Sequence, residues 1–245
     1  MLHAVRKGSD AQPDNMFASA AGNVALARDD GKVHLLLAAS GSVAAIKLPL
    51  IVNGLAAHSN LSIRVMLTRS AEHFLSGQTP EQPTLAEVRR LPNVDAIYTD
   101  AAEWTRPWTR GAPILHVELR RWAHVMIVAP LSANTMAKMA AGLCDNLLLS
   151  VFRAWDVDGS IDGTRKKIVV APAMNTAMWR NPVTAKHLRT LVEDWGGDDG
   201  CLEILQPISK VLACNDVGEG AMVEWERIVA VAEAKLGLQR VHPRT

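Results

Sequence analysis

The chain has 245 residues, which is enough to bury a full hydrophobic core. Its composition, 49% apolar and 21% charged with a net charge of +1, lacks the excess of Lys and Arg that a nucleic-acid surface needs. No apolar run reaches the roughly 20 residues that cross a membrane, so neither a membrane nor a nucleic acid is expected as a partner.

The predicted elements begin after an irregular N-terminal segment. Residues 1–30 mix small and polar residues without a period, which predicts a disordered tail before a single domain over residues 31–245. The apolar run at residues 34–39 predicts a buried parallel strand. Residues 40–42 (Ser-Gly-Ser) then open a predicted helix, in which Pro49 is expected to cause a kink.

The alternation of strand and helix repeats along the chain. Short apolar runs predict further strands at residues 61–67, 96–99, 125–130 and 167–172. Helical spacing predicts helices at residues 70–75, at 117–123, at 133–141, near Asn175 and at 223–236. Residues 76–113, with five prolines, are predicted to hold a long excursion. The pattern as a whole predicts a single-domain α/β fold with a doubly wound parallel sheet of the Rossmann or flavodoxin-like type.

Polar loops follow four of the predicted strands, at residues 40–42, 68–70, 130–135 and 172–176. Ligands of open parallel sheets bind beyond the carboxyl ends of the strands. Each loop precedes a helix, whose first N–H groups attract anions, although any one loop is explained as well by helix capping. Four such loops together favour an anionic ligand, and the absence of Gly-x-Gly-x-x-Gly favours a mononucleotide over a dinucleotide.

The cysteines and histidines indicate which kinds of site the chain can contain. Three distant cysteines without Cys-x-x-Cys exclude a disulfide framework and a zinc ribbon, and the absence of a recognisable secretory signal favours the reducing cytoplasm. No metal site is predicted, because the histidines show no ligand spacing. A lone cysteine is usually an inert core residue. Cys214, however, lies in a segment with Asp216, Gly218 and Gly220 that is typical of a flap, which favours a chemical role.

Six motifs together resemble a known family. They are GSVAAIKLP from Gly41, HVELRRWA from His116, APLSANT from Ala129, GLCDNL from Gly142, PAMNTAMW from Pro172 and GEGAM from Gly218. Over about residues 33–236 the chain resembles the homo-oligomeric flavin-containing cysteine decarboxylase family, which includes the eukaryotic Hal3-type proteins. The combination of APxxANT with PAMNxxMW is highly specific for that family.

The resemblance implies FMN as the cofactor and assigns roles to particular residues. The residues that would hold FMN are Gly41, Ser42, Thr68, Phe74, Ser132, Ala133, Asn134, Thr135, Ala173 and Met174. The residues that would contact the substrate are Asn175, Met178, Arg121, Gly218, Gly220, Ala221 and Met222. Catalysis would depend on Asn175 at the substrate carboxylate, on Cys214 as proton donor, and on His116 at the reacting cysteine moiety. Because family members are trimers with sites between protomers, His116 would act across a subunit boundary that Arg121 supports.

The implied reaction is the decarboxylation of 4′-phosphopantothenoylcysteine to 4′-phosphopantetheine in coenzyme A biosynthesis. Loss of CO2 beside an amide-bearing carbon leaves an unstabilised carbanion. Oxidation of the adjacent CH2–SH group to a thioaldehyde supplies an electron sink, and the flavin takes up the hydride. The enethiolate that follows CO2 loss then needs a proton, which Cys214 would donate.

Other functions stay open at this point. One alternative is a regulatory Hal3-type subunit with a protein phosphatase as its partner. The presence of His116, Asn175 and Cys214 in one chain, and an end without a long acidic tail, favour the enzyme. Another is a flavin prenyltransferase or a peptidyl-cysteine decarboxylase, which share the sheet. Asn215 stands where the family usually has Gly, and Asn tolerates a left-handed backbone, so we expect the flap to keep its shape.

Overall fold

The computed structural model describes residues 19–105, 107–196, 200–211 and 217–239. Six parallel strands form one sheet in the order β3-β2-β1-β4-β5-β6. The strands are β1 (Val33–Ala39), β2 (Leu61–Leu67), β3 (Val94–Thr99), β4 (Val125–Leu131), β5 (Lys167–Pro172) and β6 (Leu202–Ile204). β7 (Ile208–Val211) and β8 (Val217–Ala221) form a separate two-stranded antiparallel sheet, a hairpin whose connecting residues lie outside the described part.

Helices cover both faces of the sheet, which confirms the doubly wound α/β fold. They are α1 (Ala20–Leu26), α2 (Leu48–Gly54), α3 (Arg69–Glu72), α4 (Leu85–Arg89), α5 (Leu115–Trp122), α6 (Ala133–Ala140), α7 (Leu147–Arg153), α8 (Thr176–Arg180), α9 (Pro182–Trp195) and α10 (Trp225–Leu236). In the described part of the chain, short 3-10 helices occupy Val43–Lys47, His73–Leu75 and Asp100–Ala102. Within the described residues, no helix has both the length and the apolar character to cross a membrane.

Successive residues of the central strands point to opposite faces of the sheet and so belong to two separate hydrophobic clusters. Leu36 and its β4 neighbour Met126 pack with α1, α5, α6, α7 and α9 on one face. Leu35 and its β2 neighbour Ile63 pack with α2, α3, α4 and α10 on the other. Every residue of β4 is buried, as expected for a strand covered on both faces.

The N-terminal tail was predicted too long. Residues 20–26 form α1, in which Val24 is fully buried and Ala21 nearly so. Ser19 caps this helix by accepting a hydrogen bond from Gly22 N at 3.0 Å. The prediction is therefore wrong for residues 19–26, because packing on α5 stabilises a helix too short to form by itself. Residues 1–18 lie outside the described part of the chain.

Two further predictions need correction. The helix expected after residue 42 is a 3-10 helix (Val43–Lys47) that continues as α2, and Pro49 stands in the first turn of α2 instead of at a kink. The missing N–H of proline carries no cost there, because the first N–H groups of a helix have no intrahelical partner. Within residues 76–113, the predicted strand at residues 96–99 is confirmed as β3, but the segment also contains the helix α4, which was not predicted. Helix α4 begins with a capping box formed by Thr84 and Glu87.

Candidate functional site

The carboxyl ends of β1 and β4 lie side by side where the strand order changes direction, which is where ligands of such sheets bind. One serine joins the two loops. The fully buried Ser40 accepts a hydrogen bond from Ser132 N at 2.7 Å and donates one to Pro130 O at 3.1 Å. The loops after β1 and β4 are therefore held in a fixed relation to each other.

A cavity of about 760 Å³ opens at this end of the sheet. Every residue that the resemblance assigns to the cofactor lines it: Gly41, Ser42, Thr68, Phe74, Ser132, Ala133, Asn134, Thr135, Ala173 and Met174. Most of the residues assigned to the substrate line it as well: Asn175, Met178, Gly220, Ala221 and Met222. Residues from six separate segments of the chain thus converge on one cavity.

Helix N-termini supply the polar part of the cavity wall. Thr68 caps α3 by accepting a hydrogen bond from Ala71 N at 3.3 Å, and Ser132 caps α6 by accepting one from Thr135 N at 3.3 Å. Ser42 precedes the 3-10 helix, but its hydroxyl makes no capping bond. Helix capping therefore explains the side chains of Thr68 and Ser132, while the hydroxyl of Ser42 is available to a ligand.

Charged residues at the cavity were missed by the sequence analysis. Lys138 and Asp145 form an ion pair at 2.5 Å. Asp100 accepts hydrogen bonds from Arg69 N and Leu147 N, both at 3.2 Å, and so joins α3 to α7. Asp100 directly follows β3, so the rule that ligands bind at the carboxyl ends of strands would have found it. Burial, together with the nearby Asp100 carboxylate, raises the pKa of Glu72.

The hairpin of β7 and β8 closes one side of the cavity. Its backbone is joined to the loop after β5, where Met174 N donates to Gly220 O at 2.9 Å. Gly218 lies outside the cavity lining, against α8, and a Cβ at this position would overlap Thr176 Oγ1. Cys214, the predicted proton donor, and Asn215 lie outside the described residues.

His116 and Arg121 lie on α5 and do not line the cavity that contains Asn175. The ring of His116 lies 2.9 Å from Glu103, measured from Nδ1 to Oε1. Arg121 donates from Nη1 to Glu118 Oε1 at 3.0 Å and lines a second cavity of about 400 Å³ beside α1. The described part of a single chain therefore brings Asn175 to the cavity but leaves His116 and Arg121 elsewhere.

The contacts of Ser40 lead to a prediction about stability. Ser40→Ala is expected to lower the free energy of unfolding by about 1–3 kcal/mol, because Ser132 N–H would lose its partner in a buried place. Urea unfolding measures the change. Ser76→Ala removes an exposed hydroxyl that donates to His73 O and serves as the matched control, with little expected effect. Equal unfolding midpoints for the two variants would contradict the role given to Ser40.

Comparisons with known proteins match this chain to one family. The model of the Flavoprotein family matches residues 23–237. A mouse protein named phosphopantothenoylcysteine decarboxylase is 42% identical over 212 residues, which are 86% of this chain and 91% of the mouse protein. A Schizosaccharomyces pombe protein named probable thymidylate synthase is 46% identical over 211 residues. The chain spans only about a third of the length of some relatives. It covers 30% of the Schizosaccharomyces pombe protein and 34% of a Saccharomyces cerevisiae protein named coenzyme A biosynthesis protein 3.

Solved structures show the same fold. A PPC decarboxylase variant complexed with pantothenoylaminoethenethiol is 43% identical with a TM-score of 0.67, and the match covers 83% of this chain and 97% of that one. The FMN binding protein AtHal3 is 43% identical with a TM-score of 0.66, and the match covers 85% of this chain and 98% of that one.

Proposed function

The chain belongs to the flavoprotein family, and from that premise we propose that it decarboxylates 4′-phosphopantothenoylcysteine to 4′-phosphopantetheine with FMN as cofactor. The observation that carries the proposal is the single cavity that collects the predicted cofactor residues together with Asn175 and Met178. The similarity to decarboxylases over most of the chain supports the substrate, and the similarity to an FMN binding protein supports the cofactor.

The residues around the cavity fit FMN. The Ser42 hydroxyl and the N–H groups at the start of α6 suit a phosphate, because helix N-termini carry partial positive charge. The side chains of Phe74 and Met174 suit a planar aromatic ring system. Bound FMN would supply an acceptor for the hydride that leaves the carbon beside the substrate thiol.

Asn175 is suited to bind the substrate carboxylate. Its side-chain oxygen accepts a hydrogen bond from Met178 N at 2.8 Å and so caps α8. The amide NH2 group is then the part that remains for a ligand, and it is a donor without charge. A neutral donor orients the carboxylate without binding it so tightly that loss of CO2 is opposed.

The position of His116 supports a homotrimer with active sites between protomers. The His116 side chain is 25% exposed and lies outside the cavity of its own chain. In the proposed enzyme it therefore acts on substrate in the cavity of a second copy, and Arg121 on the same helix supports that boundary. We propose a cytoplasmic location, in which the thiol of Cys214 would stay reduced.

Purification of the chain alone tests the proposal. The purified protein is expected to be yellow, with a flavin absorption spectrum, and to release CO2 from 4′-phosphopantothenoylcysteine. Size measurement by light scattering is expected to give three copies. Failure to release CO2 in the presence of added FMN would overturn the proposed activity, and a monomer with full activity would overturn the shared site.

The proton-donor role of Cys214 leads to a separate prediction. Cys214→Ser is expected to oxidise and decarboxylate the substrate but to stop at the enethiol, because no thiol remains to protonate the enethiolate. Mass spectrometry would show a product that lacks two hydrogens relative to 4′-phosphopantetheine. Cys144→Ser changes an exposed cysteine and is the matched control. Loss of CO2 release in the Cys214 variant alone would refute the role.

A further inference from the structure

Glu103 holds His116 at two points. Glu103 Oε1 lies 2.9 Å from Nδ1 of the imidazole ring, and Glu103 Oε2 accepts a hydrogen bond from His116 N at 3.1 Å. The Glu103 side chain is only 4% exposed, so water competes little for these bonds. A single carboxylate therefore fixes both the backbone and the ring of His116.

The backbone contact also explains how α5 begins. The residue before α5, Ile114, has no side chain that can cap the helix. His116 is the second residue of α5, and its N–H is one of the groups without an intrahelical partner. Glu103, which precedes His116 by 13 residues, supplies the missing acceptor. The carboxylate also lies at the positive end of the α5 dipole, which stabilises its charge.

The 3-10 helix that follows β3 places Glu103 beside His116. The 3-10 helix Asp100–Ala102 is held at its first residue, where Asp100 binds the backbone of α3 and α7. Ala102 packs against the hydrophobic cluster that contains Trp122. Glu103 follows directly, so its position is set by the fold and not by contact with His116 alone.

The ring contact determines which nitrogen of His116 carries the proton. An ionised carboxylate only accepts hydrogen bonds, so Nδ1 must carry the hydrogen that it shares with Glu103. In the neutral ring Nε2 then has a free lone pair. An adjacent carboxylate also stabilises the imidazolium that forms when Nε2 takes up a proton.

We propose that Glu103 is a positioning residue, which acts through His116 by keeping the proton on Nδ1 and so presenting Nε2 as the base toward the substrate thiol. The inference rests on the proposed function. When the substrate S–H bond breaks, the proton goes to Nε2 and the electron pair stays on sulfur. That pair would form the C=S bond as the adjacent carbon gives up a hydride, for which bound FMN would be the acceptor. The His116 imidazolium returns its proton when the thiol is regenerated.

Glu103→Gln separates this role from helix capping. The glutamine oxygen still accepts a hydrogen bond from His116 N, so α5 keeps its cap. The glutamine NH2 group would donate to Nδ1, which moves the ring proton to Nε2 and removes the base. We expect kcat to fall roughly 10²–10⁴-fold, with unchanged flavin content and KM and only a small change in thermal unfolding from the lost charge at the start of α5.

A second histidine–carboxylate pair provides the matched control. Glu233 Oε1 lies 3.0 Å from Nε2 of His58, both side chains are largely buried, and neither residue lines the cavity. Glu233→Gln makes the same chemical change there and is expected to leave kcat as in wild type. A loss of activity in both variants would show a general effect on stability and overturn the specific role of Glu103.

The tautomer is read directly by NMR of the full chain with 15N-labelled histidine, with His116→Gln used for assignment. We expect the hydrogen on Nδ1 of His116 in wild type and on Nε2 in Glu103→Gln. Hydrogen on Nε2 in wild type overturns the proposal without any variant. So does a Glu103→Gln enzyme with shifted tautomer and full kcat. If the wild-type chain released no CO2, the proposed function would fail while this spectrum would still decide the tautomer.

Discussion

Replacement of Asn175 by Asp is expected to lower kcat/KM for decarboxylation about 10³-fold in a protein that still folds and still binds flavin. Asn175 uses its oxygen to cap α8, at 2.8 Å from Met178 N, and leaves its NH2 group for the substrate. Asp caps a helix as well as Asn does, so the fold keeps this contact. The NH2 group, however, is replaced by a carboxylate oxygen that faces the carboxylate of the substrate.

The size of the effect follows from the charge. Two unit charges about 4 Å apart repel each other by about 4 kcal/mol at an effective dielectric constant of about 20. Since about 1.4 kcal/mol corresponds to a factor of ten, kcat/KM is expected to fall about 10³-fold from repulsion alone. Steady-state CO2 release gives this value, and the flavin spectrum of the same sample shows whether the cofactor is retained.

Asn181 provides the matched control for this substitution. It caps the next helix, α9, by accepting a hydrogen bond from Val183 N at 3.0 Å, and it does not line the cavity. Asn181→Asp is expected to keep both stability and activity. Full activity of Asn175→Asp would show that Asn175 does not bind the substrate carboxylate. An equal loss of activity in both variants would indicate that the substitutions disturb helices α8 and α9 and not a contact with the substrate.

The inner strands of the sheet were predictable because a strand that is buried on both faces has a nearly continuous run of apolar residues. β4 reads as an unbroken apolar run and β5 as an apolar run after Lys167, and each lies between two other strands of the sheet. Strand β6 spans only Leu202–Ile204, which is too short to show a periodic pattern of apolar residues. Helix α9 buries only Thr184 and Leu191 among its residues, so its apolar stripe is too narrow to be recognised.

The cavity was predictable for a related reason. Loops after parallel strands meet at one edge of the sheet, so Ser132 and Asn175 could be placed together without a structure. The contact between Glu103 and His116 could not be predicted in the same way. The two residues are 13 positions apart, on either side of a segment that contains Pro107 and Pro113, and the packing of the 3-10 helix Asp100–Ala102 places Glu103 beside His116.

Gly220→Ala is expected to reduce kcat/KM about 10²-fold with a much smaller effect on overall stability. Gly220 has a φ of +100°, which costs a residue with a side chain about 1–3 kcal/mol. A Cβ at this position would also lie 2.7 Å from Met174 O. Backbone oxygens cannot move aside as the end of a flexible side chain can, so the hairpin must leave its place.

The hairpin can move without unfolding the sheet, and this is why activity should suffer more than stability. Gly220 O accepts a hydrogen bond from Met174 N, and the next two residues, Ala221 and Met222, line the cavity. Release of the hairpin breaks this bond, opens the cavity to water and removes part of the wall around the substrate. β8 is not a strand of the six-stranded sheet, so that sheet keeps its own hydrogen bonds.

Gly237→Ala separates backbone strain from the contact with Met174. Gly237 ends α10 with a φ of +64°, and a Cβ there would meet no atom within 4 Å. We expect this variant to lose about 1 kcal/mol of stability and no activity. Thermal unfolding and CO2 release, measured on both variants, distinguish the two effects. A Gly220→Ala enzyme as active as Gly237→Ala would mean that the cavity functions without the docked hairpin. Loss confined to Gly220→Ala would make hairpin docking a requirement for catalysis.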